Sequence, residues 1–331
     1  MKKLKLAIIF GGKSVEHEVS VISARNVYHT LDKTRYVVSL AGISKKGKWI
    51  AISPQELADL KSVPEKGRIF ENKELLGIDV VFPLIHGTGG EDGALQGYLQ
   101  TLGVPFVGPG VLGSAIGMDK EIAKRLLREA GLPVVDFLVI RKSDSKYPSY
   151  VQVVRKLGKP FFLKPASLGS SVGVSKVQNA KGYHQALSQA FRFDGKILLE
   201  TFVRGREVEC AILGNGRPQA SKLGEILPMH DFYTYEAKYL DEKGASYIIP
   251  AKLGQALGRE IQKMAIQAFR VLQCQGMARV DFFVTKDEKI YINEINTIPG
   301  FTSISMYPKL WEASGLPYSK LMDKLIALAL E

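Results

Sequence analysis

The chain has 331 residues, 46% of them hydrophobic, which is enough to bury cores in two or three domains. Its 45 Lys and Arg residues exceed its 33 Asp and Glu residues and give a net charge of +12. A basic balance suits nucleic acids, but the basic residues are mixed with acids, and no basic helix, zinc finger or aromatic RNA-binding strand occurs. We therefore expect no nucleic-acid partner, and nucleic-acid binding remains the alternative outside the enzyme class.

The continuous apolar runs are all short. Leu6 to Phe10 are too few for a signal-peptide core, and no later run approaches the roughly 20 residues that a membrane helix requires. Cys210 and Cys274 stand in apolar surroundings without a Cys-x-x-Cys pair, which predicts two structural thiols. We expect a cytoplasmic protein with no membrane partner.

The first third of the chain alternates apolar strands with a helical pattern. Strands are predicted at "LKLAIIF", "YVVSLAGI", "IDVVFPLI" and "VPFVG", and a helix from about Ser20 to Leu31. This alternation predicts an α/β fold with a mostly parallel, covered sheet. A further helix from about Met118 to Ala130 ends at "AGLPV".

The remaining elements include hairpins, so the fold is predicted to be α+β in part. The strands "PFFLK" and "KILLETFV" flank a helix from about Lys181 to Ala190, and apolar residues from Leu257 to Leu272 repeat at helical spacing before the hairpin "ARVDFFVTKDEKIYINEIN". The polar, tyrosine-rich segment from Lys222 to Pro250 predicts a long functional loop. By element order, we predict domains at 1–115, 116–210 and 211–331.

The stretch "KPASLGSSVGVSKV" follows a strand that ends in Lys164. Its glycines and serines let backbone N–H groups approach an anion, and Lys164 adds a point charge. In the Walker phosphate loop the lysine ends the loop, so this loop must be of another kind. A tight surface hairpin of the same composition is an equally good interpretation of this stretch alone.

The last hairpin predicts a metal site. If "TKDE" closes it, residue 284 faces residue 289, Asp281 pairs with Ile292, and Arg279 pairs with Glu294. Asp281 and Glu294 then become diagonal neighbours on one face, which Asn296 continues. Such oxygen ligands suit magnesium, whereas the five unclustered histidines do not suggest zinc. A charged surface hairpin is the alternative, but the apolar flanking residues favour a buried face that needs a cation.

Three other loops carry polar or glycine patterns. "GPGVLG" matches a dinucleotide fingerprint, but the acid about 20 residues later, Glu129, falls in a predicted helix, so we interpret the match as chance or an interdomain turn. A nicotinamide-dependent dehydrogenase is therefore a weaker alternative. Glu16 either caps a helix or lies where parallel sheets place ligands. His86, in "HGTGGEDG", is predicted to orient or hydrogen-bond rather than to bind a metal.

In chain order, seven motifs resemble those of the D-alanine:D-alanine ligases of the ATP-grasp superfamily. They are "GGKSVEHEVS", "HGTGGEDG", "GSAIGMDK", "KPASLGSSVGVSKV", "FYTYEAKY", "ARVDFF" and "NEINTIPGFTSISMYP", and the resemblance spans nearly the whole chain. It implies an ATP-grasp fold in which an N-terminal α/β domain precedes two domains that sandwich ATP. The implied reaction joins two D-alanine molecules through an acyl phosphate, for peptidoglycan precursor synthesis, and the implied assembly is a homodimer. Another carboxylate–amine ligation by the same fold remains an alternative.

The resemblance also implies roles for individual residues. ATP would be bound by Lys120, Lys164, Glu200, Val203, Glu207 and Lys238, and two Mg²⁺ or Mn²⁺ ions by Asp281, Glu294 and Asn296. Glu16, linked through Ser170 to Tyr239, would bind the ammonium of the first D-alanine, and His86 would lie beside that substrate. Arg279 and the Gly300 N–H would stabilise the oxyanion of the tetrahedral intermediate. Ser305 and Met306 would bind the carboxylate of the second D-alanine. Tyr239, in "EAKY", points to D-alanine rather than D-lactate as the second substrate.

Overall fold

The computed structural model describes residues 3–170, 172–228 and 245–331, and its described strands form three sheets. The first sheet has the order β3-β2-β1-β4 and contains β1 (Leu4–Gly11), β2 (Tyr36–Ile43), β3 (Trp49–Ala51) and β4 (Val80–Pro83). Strand β1 runs parallel to β2 and β4, which confirms the predicted mostly parallel sheet. Helices α1 (His17–Thr30), α2 (Pro54–Asp59), α3 (Asn72–Leu75) and α4 (Ala94–Thr101) belong to this part of the chain.

The predicted start of one helix and one predicted strand in this region are wrong. Helix α1 begins at His17, three residues before the predicted Ser20, because Glu16 already serves as its N-cap residue. The "VPFVG" segment forms only an isolated parallel bridge between Val81 and Phe106. The two residues that follow the bridge, Val107 and Gly108, lead into a helix instead of continuing a strand.

The second sheet is antiparallel and has the order β5-β8-β6-β7. Its strands are β5 (Phe137–Arg141), β6 (Phe161–Pro165), β7 (Ser175–Val177) and β8 (Lys196–Thr201). Helices α5 (Val111–Met118) and α6 (Lys120–Glu129) precede it, and α7 (Tyr150–Leu157) and α8 (Ala180–Ala190) lie between its strands in the chain. "GPGVLG" opens α5, and Gly113 lies so close to Gln273 that an added Cβ would stand 2.5 Å from its carbonyl oxygen. Close packing of a helix therefore accounts for a glycine at this position.

The third sheet is also antiparallel, with the order β11-β10-β9-β12-β13. It contains β9 (Gly205–Leu213), β10 (Gln219–Pro228), β11 (Ala245–Ile248), β12 (Met277–Thr285) and β13 (Ile290–Asn296). Helices α9 (Gln255–Val271), α10 (Met306–Ala313) and α11 (Tyr318–Ala329) complete the described elements. The loop predicted from Lys222 to Pro250 is wrong at both ends, because residues 222–228 extend β10 and 245–248 form β11; residues 229–244 lie outside the described part of the chain.

The predicted register of the last hairpin is also wrong. Val284 pairs with Ile290, and Asp281 pairs directly with Glu294, with a register shift between Asp281 and Phe282. The turn supplies the first one-residue offset, since Glu288 adopts a left-handed φ of 59° and the Thr285 N–H donates to the Lys289 carbonyl. A bulge at Asn293 supplies the second offset. Two offsets of one residue preserve the parity of the strand, so the prediction that both acids share one face is correct.

The apolar core links the first sheet to the C-terminal helices. Phe301 is fully buried and packs edge-on against Phe82 of β4 and against Tyr307 of α10, with ring centroids 5.6 Å apart in both pairs. One cluster of buried residues contains all three rings. The chain just after β13 is therefore fixed against the first sheet. The domain boundaries at 115 and 210 remain predictions. None of the described helices is long and apolar enough to cross a membrane.

Candidate active site

A cavity opens where the three sheets and the segment after β13 meet. Eleven of the residues predicted for the site line it, namely Glu16, His86, Ser170, Glu207, Arg279, Asp281, Glu294, Asn296, Gly300, Ser305 and Met306. Lys120, Lys164 and Glu200 stand behind its wall and contact each other or lining residues. Val203 follows β8 and is partly buried. Lys238 and Tyr239 lie outside the described residues.

Glu16 is brought to the cavity by the end of β1 and the start of α1. Glu16 is 5% exposed, and its carboxylate accepts a hydrogen bond from the Ser170 hydroxyl. Ser170 itself has a left-handed φ of 52°, a conformation that is uncommon for a residue with a side chain. Gly87, with φ 75°, leaves room for Glu16, since a Cβ there would stand 2.6 Å from Glu16 Oε2. The contact joins the loop after β1 to the glycine–serine loop.

His86 and Glu91, both from "HGTGGEDG", hold the backbone N–H and C=O of one residue, Ile298, in the segment after β13. His86 Nδ1 lies 3.1 Å from the Ile298 carbonyl oxygen and must donate to it, so its Nε2, 2.9 Å from Ser23 Oγ, accepts. Burial lowers the pKa of His86 to about 4, which keeps the ring neutral. Glu91 accepts from the Ile298 N–H at 3.0 Å, and burial together with the nearby Glu16 raises the pKa of Glu91 to about 8.

The predicted oxyanion and metal residues contact each other across β12 and β13. Arg279 donates two hydrogen bonds of 2.8 Å to the two carboxylate oxygens of Asp281. Its Nε also lies 2.9 Å from Glu209 Oε2 on β9. Asn296 donates through Nδ2 to Asp281 Oδ2 at 2.9 Å, so the amide oxygen of Asn296 takes no part in this bond. The guanidinium is thus oriented by carboxylates on two strands.

Behind this face, two buried lysines share one carboxylate. Glu200, 1% exposed, lies 3.1 Å from Lys124 Nζ through Oε1 and 2.7 Å from Lys164 Nζ through Oε2. Burial alone would raise the pKa of Glu200, but the two lysines lower it to about 2. Burial lowers the pKa of Lys124, whereas the Glu200 and Glu294 carboxylates outweigh burial and raise the pKa of Lys164.

Lys120 lies at the start of α6, beside the glycine–serine loop. Its Nζ donates to the Leu168 carbonyl at 2.6 Å and lies 3.7 Å from Glu294 Oε2. Its backbone N–H donates to the Ala166 carbonyl at 3.0 Å. Lys120 therefore connects the predicted phosphate loop with a predicted metal ligand.

The predicted site for the second carboxylate precedes α10. Ser305 is the N-cap residue, but its hydroxyl bonds to the N–H and hydroxyl of Thr302, at 3.0 and 2.8 Å, instead of capping the helix. A Cβ on Gly300 would stand 2.6 Å from Ser305 Oγ, so the close approach of the backbone requires glycine. The first N–H groups of α10, beginning at the buried Met306, are the kind of donors that bind carboxylates.

The charge of the cavity wall suits cationic ligands despite the basic composition of the chain. Among the described lining residues, six carry carboxyl groups and only Arg279 is a permanent cation; the six are Glu16, Glu91, Glu207, Glu209, Asp281 and Glu294. Within residues 3–170, 172–228 and 245–331, no group of three or more His, Cys, Asp or Glu side chains is arranged to hold a metal. The predicted set of two carboxylates and one amide therefore fits a hard divalent ion only with further oxygen ligands, such as nucleotide phosphates.

Several residues of the site were not singled out from the sequence, among them Glu91, Lys124, Glu209 and Asn293. A signal existed for two of them. Lys124 follows Lys120 by four residues on a predicted helix and shares its face, and Glu209 follows Glu207 by two residues on a strand. The Glu91 carboxylate accepts from the backbone N–H groups of Gly87 and Ile298, and a bulge places Asn293. Residue patterns in the sequence reveal neither feature.

Two family models match the chain. The model described as "D-ala D-ala ligase N-terminus" matches residues 5–109, and the one described as "D-ala D-ala ligase C-terminus" matches residues 126–327. The D-alanine–D-alanine ligase A of Salmonella typhimurium is 49% identical over 353 residues, covering 100% of this chain and 97% of that protein. The D-alanine–D-alanine ligase of Oceanobacillus iheyensis is 51% identical over 352 residues, covering 100% and 96%.

Solved structures agree with the sequence comparisons. The D-alanine-D-alanine ligase from Coxiella burnetii superimposes with a TM-score of 0.88 at 40% identity, covering 100% of this chain and 94% of that one. The VanG D-Ala:D-Ser ligase from Enterococcus faecalis gives a TM-score of 0.85 at 33% identity, covering 99% and 100%. With this coverage, and with the motif residues gathered around one cavity, the chain belongs to the D-alanine–D-alanine ligase family and has its ATP-grasp fold.

Proposed function

We propose that the protein joins two D-alanine molecules into D-alanyl-D-alanine at the expense of ATP, releasing ADP and phosphate, for peptidoglycan precursor synthesis. One observation carries this proposal beyond family membership. The hydrogen bond between Ser170 and Glu16 joins the predicted phosphate loop to the predicted ammonium site, beside Arg279 and the acids of β12 and β13. A cavity so arranged suits the attack of an amino-acid carboxylate on a nucleotide phosphate.

Lys120 and Lys164 are proposed to bind the ATP phosphates. Both stand next to the glycine–serine loop, and Glu294 is 3.7 Å from Lys120. Glu207, Val203 and Glu200 are proposed to bind the adenine and ribose of ATP. Glu200 is 1% exposed, and its carboxylate contacts two lysines. Asp281, Glu294 and Asn296 would hold two Mg²⁺ or Mn²⁺ ions, which neutralise phosphate charge and align the reacting oxygens when bound.

The residues nearest the proposed amino-acid sites supply orientation and charge. Glu16 would accept the ammonium of the first D-alanine, leaving that molecule's carboxylate to attack the γ-phosphate and form an acyl phosphate. Ser305 and the N–H of Met306 would hold the second D-alanine by its carboxylate, with its free amine next to the acyl carbon. As the amine adds, the carbonyl oxygen becomes negative, and Arg279 with the Gly300 N–H would stabilise it until phosphate leaves.

Several parts of the proposal concern residues or assemblies outside the described structure. Lys238 is proposed to meet the transferred phosphate and Tyr239 to complete the Glu16–Ser170 chain; both lie in the segment 229–244, which is proposed to cover the acyl phosphate against hydrolysis. A homodimer and a cytoplasmic location are likewise proposed from the family.

The test is phosphate release from MgATP with D-alanine, with L-alanine, or with D-alanine plus D-lactate, and identification of the products by mass. D-alanine-dependent release with formation of the dipeptide supports the proposal. Turnover with a different amino acid only would keep the ligase chemistry and reject this substrate. Phosphate release that does not depend on any amino acid, or no release at all, would reject the ligation itself.

The proposed metal site has its own matched pair of variants. Glu294→Gln removes a carboxylate that is proposed to hold a divalent ion. Turnover should fall at least about 100-fold, because the weakly held ion no longer compensates the phosphate charge. Glu288→Gln removes the same charge from the exposed turn of the same hairpin and should leave turnover unchanged. Equal activity of both variants would contradict the assignment of Glu294.

A further inference from the structure

We infer that Lys124 is a positioning residue, which fixes the bulge at Asn293 and thereby sets Glu294 opposite Asp281. The inference rests on the proposed function, in that Glu294 and Asp281 are taken as metal ligands. Lys124 itself has no substrate role in it, because its side chain is 2% exposed.

The contacts of Lys124 connect three elements. From helix α6, its Nζ donates to the backbone carbonyl of Asn293 at 2.9 Å and lies 3.1 Å from Glu200 Oε1 at the end of β8. Lys164 of β6 contacts the same two residues through other atoms, Asn293 Oδ1 at 3.3 Å and Glu200 Oε2 at 2.7 Å. One lysine therefore holds the backbone of Asn293 and the other its side chain, with Glu200 fixing both ammonium groups.

The residue held in this way is the extra residue of the hairpin. Phe282 pairs with Ile292 and Asp281 with Glu294, so Asn293 has no partner of its own on β12. A bulged residue leaves ladder hydrogen bonds unmade, and the Asn293 carbonyl receives the Lys124 ammonium instead. Without the bulge, Asp281 would face Asn293, and Glu294 would point to the opposite face of the sheet. The position of a proposed metal ligand thus depends on an interaction that stabilises the bulge.

Charge explains why a lysine suits this position. Glu200 is buried with two cations, and removal of either would leave the carboxylate with one. Lys164 would then be the sole counterion of Glu200 and would be drawn from Asn293 and from the proposed phosphate site. Lys124 therefore supports both Glu294, through the bulge, and Lys164, through the shared carboxylate.

The test compares Lys124→Met, which keeps the length of the side chain and removes its charge, with Arg125→Met on the same helix. Arg125 is 60% exposed and pairs with Glu121, which Arg141 and Lys196 also contact, so its loss should not reach the hairpin. Two measurements that do not require turnover are made on the full chain: amide hydrogen exchange over Ile290–Asn296, and Mn²⁺ binding in the presence of ADP, followed by electron paramagnetic resonance.

Lys124→Met should accelerate exchange in the Ile290–Asn296 segment by about tenfold or more, because the bulge opens without its partner. Mn²⁺ binding should weaken by about tenfold or more, as is found when groups that orient metal ligands are removed. Arg125→Met should change neither. Unchanged exchange and unchanged Mn²⁺ affinity in Lys124→Met would overturn the inference, even if its activity were lower.

If Lys124→Met does not fold because Glu200 is left short of a counterion, Lys124→Met/Glu200→Gln provides the measurement. This double variant removes opposite charges together, yet still lacks the donor to Asn293, so faster exchange is again expected and native exchange would refute the inference. The exchange result stands apart from the proposed function: a wild-type protein that makes no dipeptide rejects the ligase proposal, whereas exchange in the hairpin still decides the role of Lys124.

Discussion

Protonation of His86 should weaken the folded protein in mildly acidic solution. The ring is 3% exposed, donates from Nδ1 to the Ile298 carbonyl and accepts the Ser23 hydroxyl at Nε2. Because burial lowers the pKa of His86 from 6.5 to about 4, the folded state favours the neutral ring. The preference of the folded state for neutral His86 contributes fully to stability above pH 6.5. This contribution, about 3 kcal/mol of unfolding free energy, is lost as the pH falls toward 4.

The perturbation that isolates this contribution is His86→Asn. The asparagine amide can still donate to Ile298, but it does not titrate and does not reach Ser23. At pH 7.5 the variant should therefore be less stable by about 1 kcal/mol or somewhat more, the net cost of one buried hydrogen bond. Between pH 7.5 and pH 4 it should lose about 3 kcal/mol less than the wild-type protein, so the order of stability reverses.

The assay is denaturant unfolding of both proteins at several pH values, with the difference in unfolding free energy plotted against pH. Subtraction is essential because Glu91 acts in the opposite sense: its pKa is raised to about 8, so its contribution is complete below pH 4.5 and is lost as the pH rises toward 8. That contribution is common to both proteins. A difference that stays constant from pH 7.5 to pH 4 would refute the account of a neutral, buried His86.

Three further predictions concern other residues of the protein. Arg279→Lys cannot form the two parallel hydrogen bonds to Asp281 and should lower turnover by about 10²–10³-fold with little loss of secondary structure; unchanged turnover would remove Arg279 from the proposed oxyanion site. Cys210 and Cys274 are buried, burial raises the pKa of each to about 12, and a thiol reagent should modify them about 10³-fold more slowly in the native than in the unfolded protein. Comparable rates in the two states would contradict their burial. Tyr239→Phe should increase the use of D-lactate at neutral pH, and an unchanged ratio of products in a competition assay would reject a role for the phenol in selecting D-alanine.

Much of the candidate site could be predicted because it depends on chain order and on side-chain parity. Strand ends and loops place Glu16, Lys164 and Ser170 without any knowledge of tertiary contacts. In the hairpin, parity alone puts Asp281 and Glu294 on one face, and the structure keeps that face although the predicted partners were wrong. A prediction that needs only the period of a strand survives an even number of one-residue offsets.

The elements that escaped prediction depend on tertiary contacts. Composition identifies the stretch from 222 to 250 as polar, but strand β9 pairs with residues 223–226 and strand β11 with residues 225–228, which places them in the third sheet. Lys124 resembles any other basic residue of a surface helix until Glu200 and Asn293 are brought against it. Its burial could not be inferred from the helix alone, because a lysine becomes buried only where a partner carboxylate compensates for lost hydration.

The segment from Glu294 to Met306 contains five of the proposed site residues and is held from three directions. Lys124 and Lys164 hold the bulge that precedes it, His86 and Glu91 hold the backbone C=O and N–H of Ile298, and Phe301 packs between the first sheet and α10. Two of the three proposed metal ligands, Glu294 and Asn296, lie on this continuous stretch with the Gly300 N–H and the second carboxylate site, so a shift of any anchor would displace these groups together. Effects of the anchor residues on turnover should therefore combine non-additively, since each anchor constrains the same short piece of backbone.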